Sequence, residues 1–136
     1  MPFKVIFLLC VALLVSGCLS TTTDVRHFDC QMTDRLLEDK TAKLEWVEKF
    51  LPSRFGLTVE KSVLTFQAPD NTVKLKIHSK TLDNIDATGD IDLKNSNGDA
   101  FPMTYVLSFN LVTKQYLLKA RPYKLMAFGQ QSGTCF

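Results

Sequence analysis

The chain has 136 residues, a formal net charge of +2 and 46% hydrophobic residues. This length suits one folded domain with a single hydrophobic core. The near-neutral, mixed composition excludes a multidomain enzyme, a multi-pass membrane protein, an obvious nucleic-acid binder and a disordered tail.

The first residues of the chain have the pattern of a signal peptide. Lys4 and the amino terminus are positively charged, and Val5–Val15 is an unbroken apolar run. As a helix this run would reach about 16 Å, against a bilayer core of roughly 30 Å. The run is therefore too short to span a membrane and has the length of a signal-peptide core.

The residues Val15-Ser16-Gly17-Cys18 resemble the lipobox of bacterial lipoproteins. In that family the cysteine thiol is joined to diacylglycerol, and a peptidase then cuts before the cysteine. The resemblance implies lipidation at Cys18, with palmitate-type acyl chains and removal of residues 1–17. Two or three acyl chains anchor a protein stably, whereas one chain binds only marginally. An ordinary secretory signal and an uncleaved anchor are the alternatives.

The residues after the lipobox indicate the expected location. Leu19 stands where Asp favours inner-membrane retention in Gram-negative lipoproteins, so the resemblance implies the outer membrane in a Gram-negative host. The tether of residues 18–24 reaches at most about 25 Å. We expect a removed signal peptide at 1–17, a lipidated tether at 18–24 and one globular domain at 25–136. The expected location is the bacterial cell envelope, not the cytoplasm.

Two of the four cysteines are predicted to form a disulfide. Cys10 would be removed with the signal peptide and Cys18 would be acylated, which leaves Cys30 and Cys135. Exported chains meet oxidising conditions, so this pair at the two ends of the domain predicts one disulfide. A redox cysteine and a metal site are the alternatives, but the sequence contains no Cys-x-x-Cys pattern.

The domain begins with an alternating segment, and a helical pattern follows. Val25–Met32 predicts a first strand. Apolar residues at helical spacing predict one amphipathic helix over 41–51, which Pro52 ends. Leu36 and Leu37 fit the apolar face of the same helix if it begins earlier.

After Gly56 the apolar periodicity changes to two, which is typical of strands with one buried face. Six segments alternate in this way. Their predicted inward residues are Leu57 and Val59; Leu64 and Phe66; Val73, Leu75 and Ile77; Ala87, Gly89, Ile91 and Leu93; Met103, Tyr105, Leu107 and Phe109; and Tyr116, Leu118 and Ala120. Residues 123–128 are expected to form a last edge strand.

Hairpin registers follow from these faces, because opposite residues must face the same side. The predicted opposite pairs are Val59–Leu64, Ile77–Ala87, Ile91–Met103 and Leu107–Tyr116. The third hairpin requires an odd loop, Ser96-Asn97-Gly98, with Gly98 in the left-handed conformation. The predicted fold class is α+β: an antiparallel β-meander of about six to seven strands, as an open sheet or half-barrel, with one N-terminal amphipathic helix covering it.

The strand over residues 72–80 carries Lys74, Lys76, His78 and Lys80 on its outward face. The predicted register places His78 opposite Asp86 and Lys74 opposite Asp90. This face is a charged binding surface, a His–Asp acid–base pair, or a solvated sheet face with weak cross-strand pairs. The last interpretation is favoured, because a catalytic pair needs a pocket and a third group.

The remaining histidine and the acids do not match a metal site. His27 and Asp29 have no zinc or iron ligand spacing around them. The acids Asp86, Asp90 and Asp92 lack the closing glutamate of a calcium loop, and Ile91 and Leu93 within this run are expected to be strand core. We therefore predict no metal, cofactor or catalytic residues.

Residues 100–136 contain four basic residues and no acid, which is the one unusual charge feature of the chain. The four are Lys114, Lys119, Arg121 and Lys124. They form a candidate interaction surface for anionic lipid, a glycan or an acidic partner.

The sequence thus favours a small envelope-anchored lipoprotein that acts as a non-enzymatic binding module. Its expected partners are the membrane, through the lipid anchor, and an unidentified protein, but not nucleic acid. The alternatives are a structural accessory subunit of an envelope complex, or a soluble secreted inhibitor or effector if Cys18 is not acylated. An envelope hydrolase would require a deep pocket with clustered titratable groups.

Overall fold

The computed structural model describes residues 24–38, 40–41, 44–94, 98–122 and 129–136. Within these ranges the chain forms eight strands and one helix. They are β1 Arg26–Leu37, α1 Leu44–Phe50, β2 Arg54–Val59, β3 Val63–Gln67, β4 Thr72–Lys80, β5 Asn84–Lys94, β6 Ala100–Asn110, β7 Gln115–Pro122 and β8 Gly129–Cys135. The predicted lipidation site Cys18, the basic residue Lys124 and the predicted edge strand 123–128 lie outside the described residues.

The eight strands form one closed antiparallel barrel. Each strand pairs with the next in the chain, and β8 pairs with β1 to close the sheet. The prediction of an open α+β sheet or half-barrel of six to seven strands is therefore wrong. A closed barrel leaves no free strand edge, so the sheet needs no covering helix to protect it.

The closing strand β8 was not predicted because its inward face is not apolar. Its fully buried inward positions are Gly129, Gln131, Gly133 and Cys135, so the strand lacks the alternation of large hydrophobic residues that marks the others. Glycine suffices at positions 129 and 133 because other side chains already occupy the interior beside them: Leu51, just after the helix, at Gly129, and Tyr116 of β7 at Gly133. A virtual Cβ on Gly129, for example, would lie only 2.7 Å from Leu51 Cδ1.

The first strand is longer than predicted, and the helix is shorter. Leu36 and Leu37 belong to β1, which continues past a register shift between Met32 and Asp34. A bulge of this kind reverses which residues face inward, so the pattern across it imitates helical spacing. The described helix spans Leu44–Phe50 and covers one end of the barrel rather than the face of a sheet.

The barrel interior is filled by side chains. An eight-stranded barrel is just wide enough for its inward residues to meet. The predicted inward sets are buried or half-buried in the structure, and Tyr105, Phe66 and Phe109 are the largest fully buried side chains. The rings of Phe66 and Tyr105 meet edge to face, with centroids 5.2 Å apart. The core therefore occupies the lumen.

Three of the four predicted hairpin registers are confirmed in their central pairs. The structure pairs Val59 with Leu64, Ile77 with Ala87 and Ile91 with Met103. Gly98 is left-handed, with φ of 82°, as the odd loop requires; Ser96 and Asn97 lie outside the described residues.

The fourth register is wrong by two residues, because Tyr116 pairs with Phe109 rather than with Leu107. The turn is longer than assumed. Asn110 Oδ1 accepts hydrogen bonds from the backbone N–H groups of Val112 and Thr113, at 2.9 and 2.8 Å. A side chain that satisfies two backbone donors stabilises the longer turn, and a shift of two preserves the inward faces.

Cys30 and Cys135 are joined by a disulfide. They are directly opposite each other where β1 pairs with β8, and both are buried. The predicted pairing therefore bridges the seam between the first and last strands of the barrel.

A buried polar network holds α1 at its end of the barrel. The side chain of Arg35 is only 10% exposed and forms an ion pair with Glu48 of the helix at 3.1 Å. The same guanidinium donates to the Leu51 carbonyl at 2.7 Å. Gln131 of β8 accepts from Arg35 and donates to the Pro52 carbonyl at 2.7 Å. These bonds tie β1, β8 and the helix together.

The ionised form of Glu48 is favoured in this network. Burial raises the pKa of Glu48, but the hydrogen bonds from the Ser53 backbone N–H and from Arg35 outweigh it, and the net pKa is below the usual value. A buried guanidinium needs such a partner, because an unpaired buried charge is costly. The network is thus a structural device that positions the helix.

Candidate functional site

The barrel has two distinct ends, which the strand directions define. The helix end carries α1. The entry end is where residues 24 and 25 lead into β1, and it also carries the turns at 60–62, 81–83 and 111–114 and the residue after β8.

An open cleft of about 360 Å³ lies on the outer wall towards the entry end. It crosses the five consecutive strands β5, β6, β7, β8 and β1. The polar residues that line it are Thr33, Asn84, Ser108, Asn110, Gln115, Ser132 and Thr134. We call this feature the wall cleft. Its volume lies at the lower end of the range of about 300–1,000 Å³ that is typical of ligand sites.

The wall cleft exists because of the bulge in β1 and the small side chains on the neighbouring strands. The register shift falls at Thr33, whose hydroxyl donates to the Ser132 carbonyl at 3.2 Å. Ser108 and Ser132 have short side chains, so the outer surface is recessed at these positions. Leu117, which is half-buried, supplies an apolar portion of the lining.

The chemistry of the wall cleft is uncharged. No Asp, Glu, His, Lys or Arg is among the described residues that line it. Tyr116 is the one titratable side chain there, but it is buried, and desolvation raises its pKa to about 12. The cleft therefore offers hydroxyl and amide hydrogen bonds and no group that exchanges a proton near neutral pH.

The two histidines lie elsewhere on the barrel wall and are separate from each other. His27 on β1 hydrogen-bonds Thr58 Oγ1 at 3.0 Å. His78 on β4 hydrogen-bonds Thr88 Oγ1. Strands β2 and β3 separate their two strands, and both side chains are exposed. They are not brought together in a site.

The predicted opposition of His78 and Asp86 is wrong. A register shift between Ile77 and Ser79 places Ser79, not His78, opposite Asp86. The carboxylate instead accepts from the Ser108 hydroxyl at 2.6 Å. Asp90 likewise accepts from Thr104 of β6 at 2.7 Å. These acids are therefore engaged in hydrogen bonds across β5 and β6.

The basic residues of the C-terminal part do not form one patch in the described part of the chain. Lys114 lies in the turn at the entry end, where its Nζ donates to the Leu111 carbonyl at 2.7 Å and stands 5.0 Å from the centre of the Phe28 ring. Lys119 and Arg121 face outward on β7, opposite Val106 and Thr104 of β6. The structure thus brings two of the candidates together and places Lys114 apart.

Two further kinds of feature are absent from the described residues. No group of three or more His, Cys, Asp or Glu side chains is placed to hold a metal ion. No described helix has both the length and the apolar character needed to cross a membrane.

The wall cleft could not be predicted from the sequence, because two of the segments that line it, β8 and the bulge in β1, were not predicted. Ser132 and Thr134 belong to the unpredicted strand β8, and Thr33 lies at the unpredicted bulge. The one sequence signal for β8 is that Gly129, Gly133 and Cys135 are separated by even numbers of residues, so that all three lie on the same face of a strand.

Comparison of the chain with protein-family models, with curated proteins and with solved structures finds no match.

Proposed function

We propose that this protein is a small lipoprotein of the bacterial envelope, anchored through Cys18, that acts as a non-enzymatic binding module. The lipobox-like residues 15–18 support the anchor, and the short polar tether keeps the domain near the membrane. The binding surface is the wall cleft, and its ligand is an uncharged polar segment of a protein partner.

The observation that carries this proposal is the uncharged character of the wall cleft. It has the size of a ligand site and is lined by hydroxyl and amide groups, of which Ser108 and Thr33 also hydrogen-bond within the barrel. The described residues that line it include no acid–base pair. Such groups orient a ligand through hydrogen bonds, and catalysis of hydrolysis needs more than this. Recognition without chemistry is therefore the function that this geometry supports best.

The filled lumen directs binding to the outside of the barrel. Larger or emptier barrels hold small ligands in their interior. Here aromatic and aliphatic side chains occupy that space, and Phe55 contacts both Phe66 and Tyr116 there. A partner must consequently be recognised on the outer wall.

Site-specific photocrosslinking in the host tests this proposal. A photoreactive amino acid at Ser132, inside the wall cleft, is expected to give one discrete crosslinked protein. The matched control is the same amino acid at Lys76, which is exposed on β4 at the opposite side of the barrel. Adding Thr134→Arg beside the Ser132 probe should abolish the product, because the longer charged side chain fills the cleft. Equal products at both positions, or none at Ser132, would contradict the proposal.

A further inference from the structure

Exposed apolar side chains are concentrated at the entry end of the barrel. Leu82 is 93% exposed, Phe136 74%, Val112 69% and Val25 40%. They lie in the turns and chain segments that form this end, and we call these four residues the apolar rim. Single exposed apolar side chains are common on protein surfaces, but a group of them at one end marks a candidate contact with a membrane or a partner.

The apolar rim is held together by backbone hydrogen bonds between its segments. Leu111 N–H donates to the Asp83 carbonyl at 2.7 Å, which joins the turn of Val112 to that of Leu82. Cys135 N–H donates to the Lys114 carbonyl at 2.7 Å, which places Phe136 beside the same turn. The rim is therefore an ordered surface in which the tips have fixed relative positions.

Phe136 is also tied to the first strand. Its backbone N–H donates to the Asp29 carbonyl at 2.9 Å, and its carbonyl accepts from Asp29 N–H at 3.0 Å. The side chain nevertheless remains exposed. The aromatic ring is thus presented to the outside by a backbone that is fixed in the barrel.

The charges around the apolar rim are of both signs. Arg26, Lys61, Lys80 and Lys114 lie at this end, together with Asp24, Glu60 and Asp83. A surface of mixed charge with protruding apolar tips matches a zwitterionic lipid surface, where insertion of side chains outweighs charge attraction. A strongly anionic partner would instead require an excess of cations.

We propose that the apolar rim rests on the lipid bilayer and inserts Leu82, Val112 and Phe136 at the boundary between headgroups and acyl chains. This inference rests on the proposed acylation of Cys18. The chain enters the barrel at this same end, only six residues after that cysteine. The anchor and the apolar tips thus point the same way, and the barrel stands upright on the membrane.

The opposite orientation is disfavoured by the length of the barrel. The strands β5 and β6 have 11 residues each, which gives a height of about 25–30 Å at the usual rise and tilt. The exposed leucines at the helix end, Leu36 and Leu44, are therefore on the far side from the tether. If these leucines contacted the bilayer, the tether would have to extend along the full height of the barrel to reach the same membrane.

Tryptophan quenching by brominated lipids tests this orientation, because the chain has a single tryptophan, Trp46. In a Trp46→Phe background, Leu82→Trp places a probe at the apolar rim. Asp70→Trp places a matched probe in an exposed turn at the helix end. The mature lipidated protein is reconstituted in phosphatidylcholine vesicles with or without brominated acyl chains, and intact mass establishes its acylation.

The proposal predicts that brominated lipid reduces the emission of the Leu82→Trp probe at least twofold and leaves that of Asp70→Trp unchanged. Acylated protein that floats with the vesicles but shows no quenching at Leu82→Trp would overturn the inference and leave the anchor intact. Quenching at Asp70→Trp would show the inverted orientation. A blue shift at Leu82→Trp without quenching would show that protein covers the rim. A mass without acyl groups would overturn both proposals.

Discussion

Replacing Gly133 with alanine is expected to prevent normal closure of the barrel. A Cβ at this position would overlap the Gln31 carbonyl oxygen and lie 2.8 Å from both the carbonyl carbon of Gln31 and Cε1 of Tyr116. Because two of these three atoms are backbone of the paired strand β1, rotation of a side chain cannot relieve the overlap. We expect a loss of on the order of 4 kcal/mol in the free energy of unfolding, measured by denaturant titration.

The matched control for this substitution is Gly56→Ala. Gly56 is also a strand glycine, but a Cβ there meets no atom within 4 Å. We expect its free energy of unfolding to change by less than about 1 kcal/mol, since the main effect is a reduced entropy of the unfolded chain. Equal stability of the two variants would contradict the close approach of β8 to β1.

Removing the Cys30–Cys135 disulfide is expected to have the second large effect. The bond joins residues 105 positions apart. Its loss frees almost the whole domain in the unfolded state, and the chain-entropy model values this constraint at up to about 4.7 kcal/mol. The double variant Cys30→Ala, Cys135→Ala should melt at a lower temperature than the wild type, because the substitution leaves the seam closed by hydrogen bonds and packing alone.

Reductant provides the control for the disulfide. It should lower the melting temperature of the wild type towards that of the double variant and leave the variant unchanged. If the wild type melts at the same temperature with and without reductant, the disulfide does not contribute to stability.

The residues of the seam between β1 and β8 also belong to the disulfide, the wall cleft and the apolar rim. Gly133 and Thr134 line the wall cleft, Cys135 forms the disulfide, and Phe136 belongs to the apolar rim. Strand closure therefore determines the shape of the cleft and the position of the rim. Damage to the seam should affect binding and membrane contact together.

Most strands could be predicted from sequence, because a barrel wall with an apolar interior repeats its pattern every two residues. The inward residues from Leu57 to Ala120 follow this rule, and three hairpin registers follow from it. The register of β6 with β7 could not be obtained in the same way. A shift by two residues preserves every face, and only the Asn110 turn distinguishes the two choices.

Closure of the sheet could not be predicted, because it depends on residues that carry no hydrophobic signal. Gln131 is polar, yet it is buried and hydrogen-bonded to the Pro52 carbonyl and to Tyr116. Gly133 is inward because its neighbours occupy the space. The bulge at Thr33 also hides the continuation of β1. The wall cleft depends on both features and was missed with them.

The grouping of the basic residues also could not be predicted from the sequence. Sequence spacing alone grouped Lys114 with Lys119 and Arg121, because all three follow residue 100 without an intervening acid. In the barrel, Lys114 lies at the entry end, where its Nζ is close to the Phe28 ring and donates a hydrogen bond to the Leu111 carbonyl. A count of charges along a chain therefore does not define a surface until strand direction is known.

The most direct test of this account is the intact mass of the protein purified from its host's membranes, with and without reductant. The expected mass is that of residues 18–136 plus acyl groups, with two hydrogens fewer in the unreduced sample. This result would establish the cleavage site, the anchor at Cys18 and the Cys30–Cys135 disulfide in one experiment. An unacylated mass would contradict the central proposal: loss of the signal residues would then favour a secreted inhibitor or effector, and their retention would favour an uncleaved anchor.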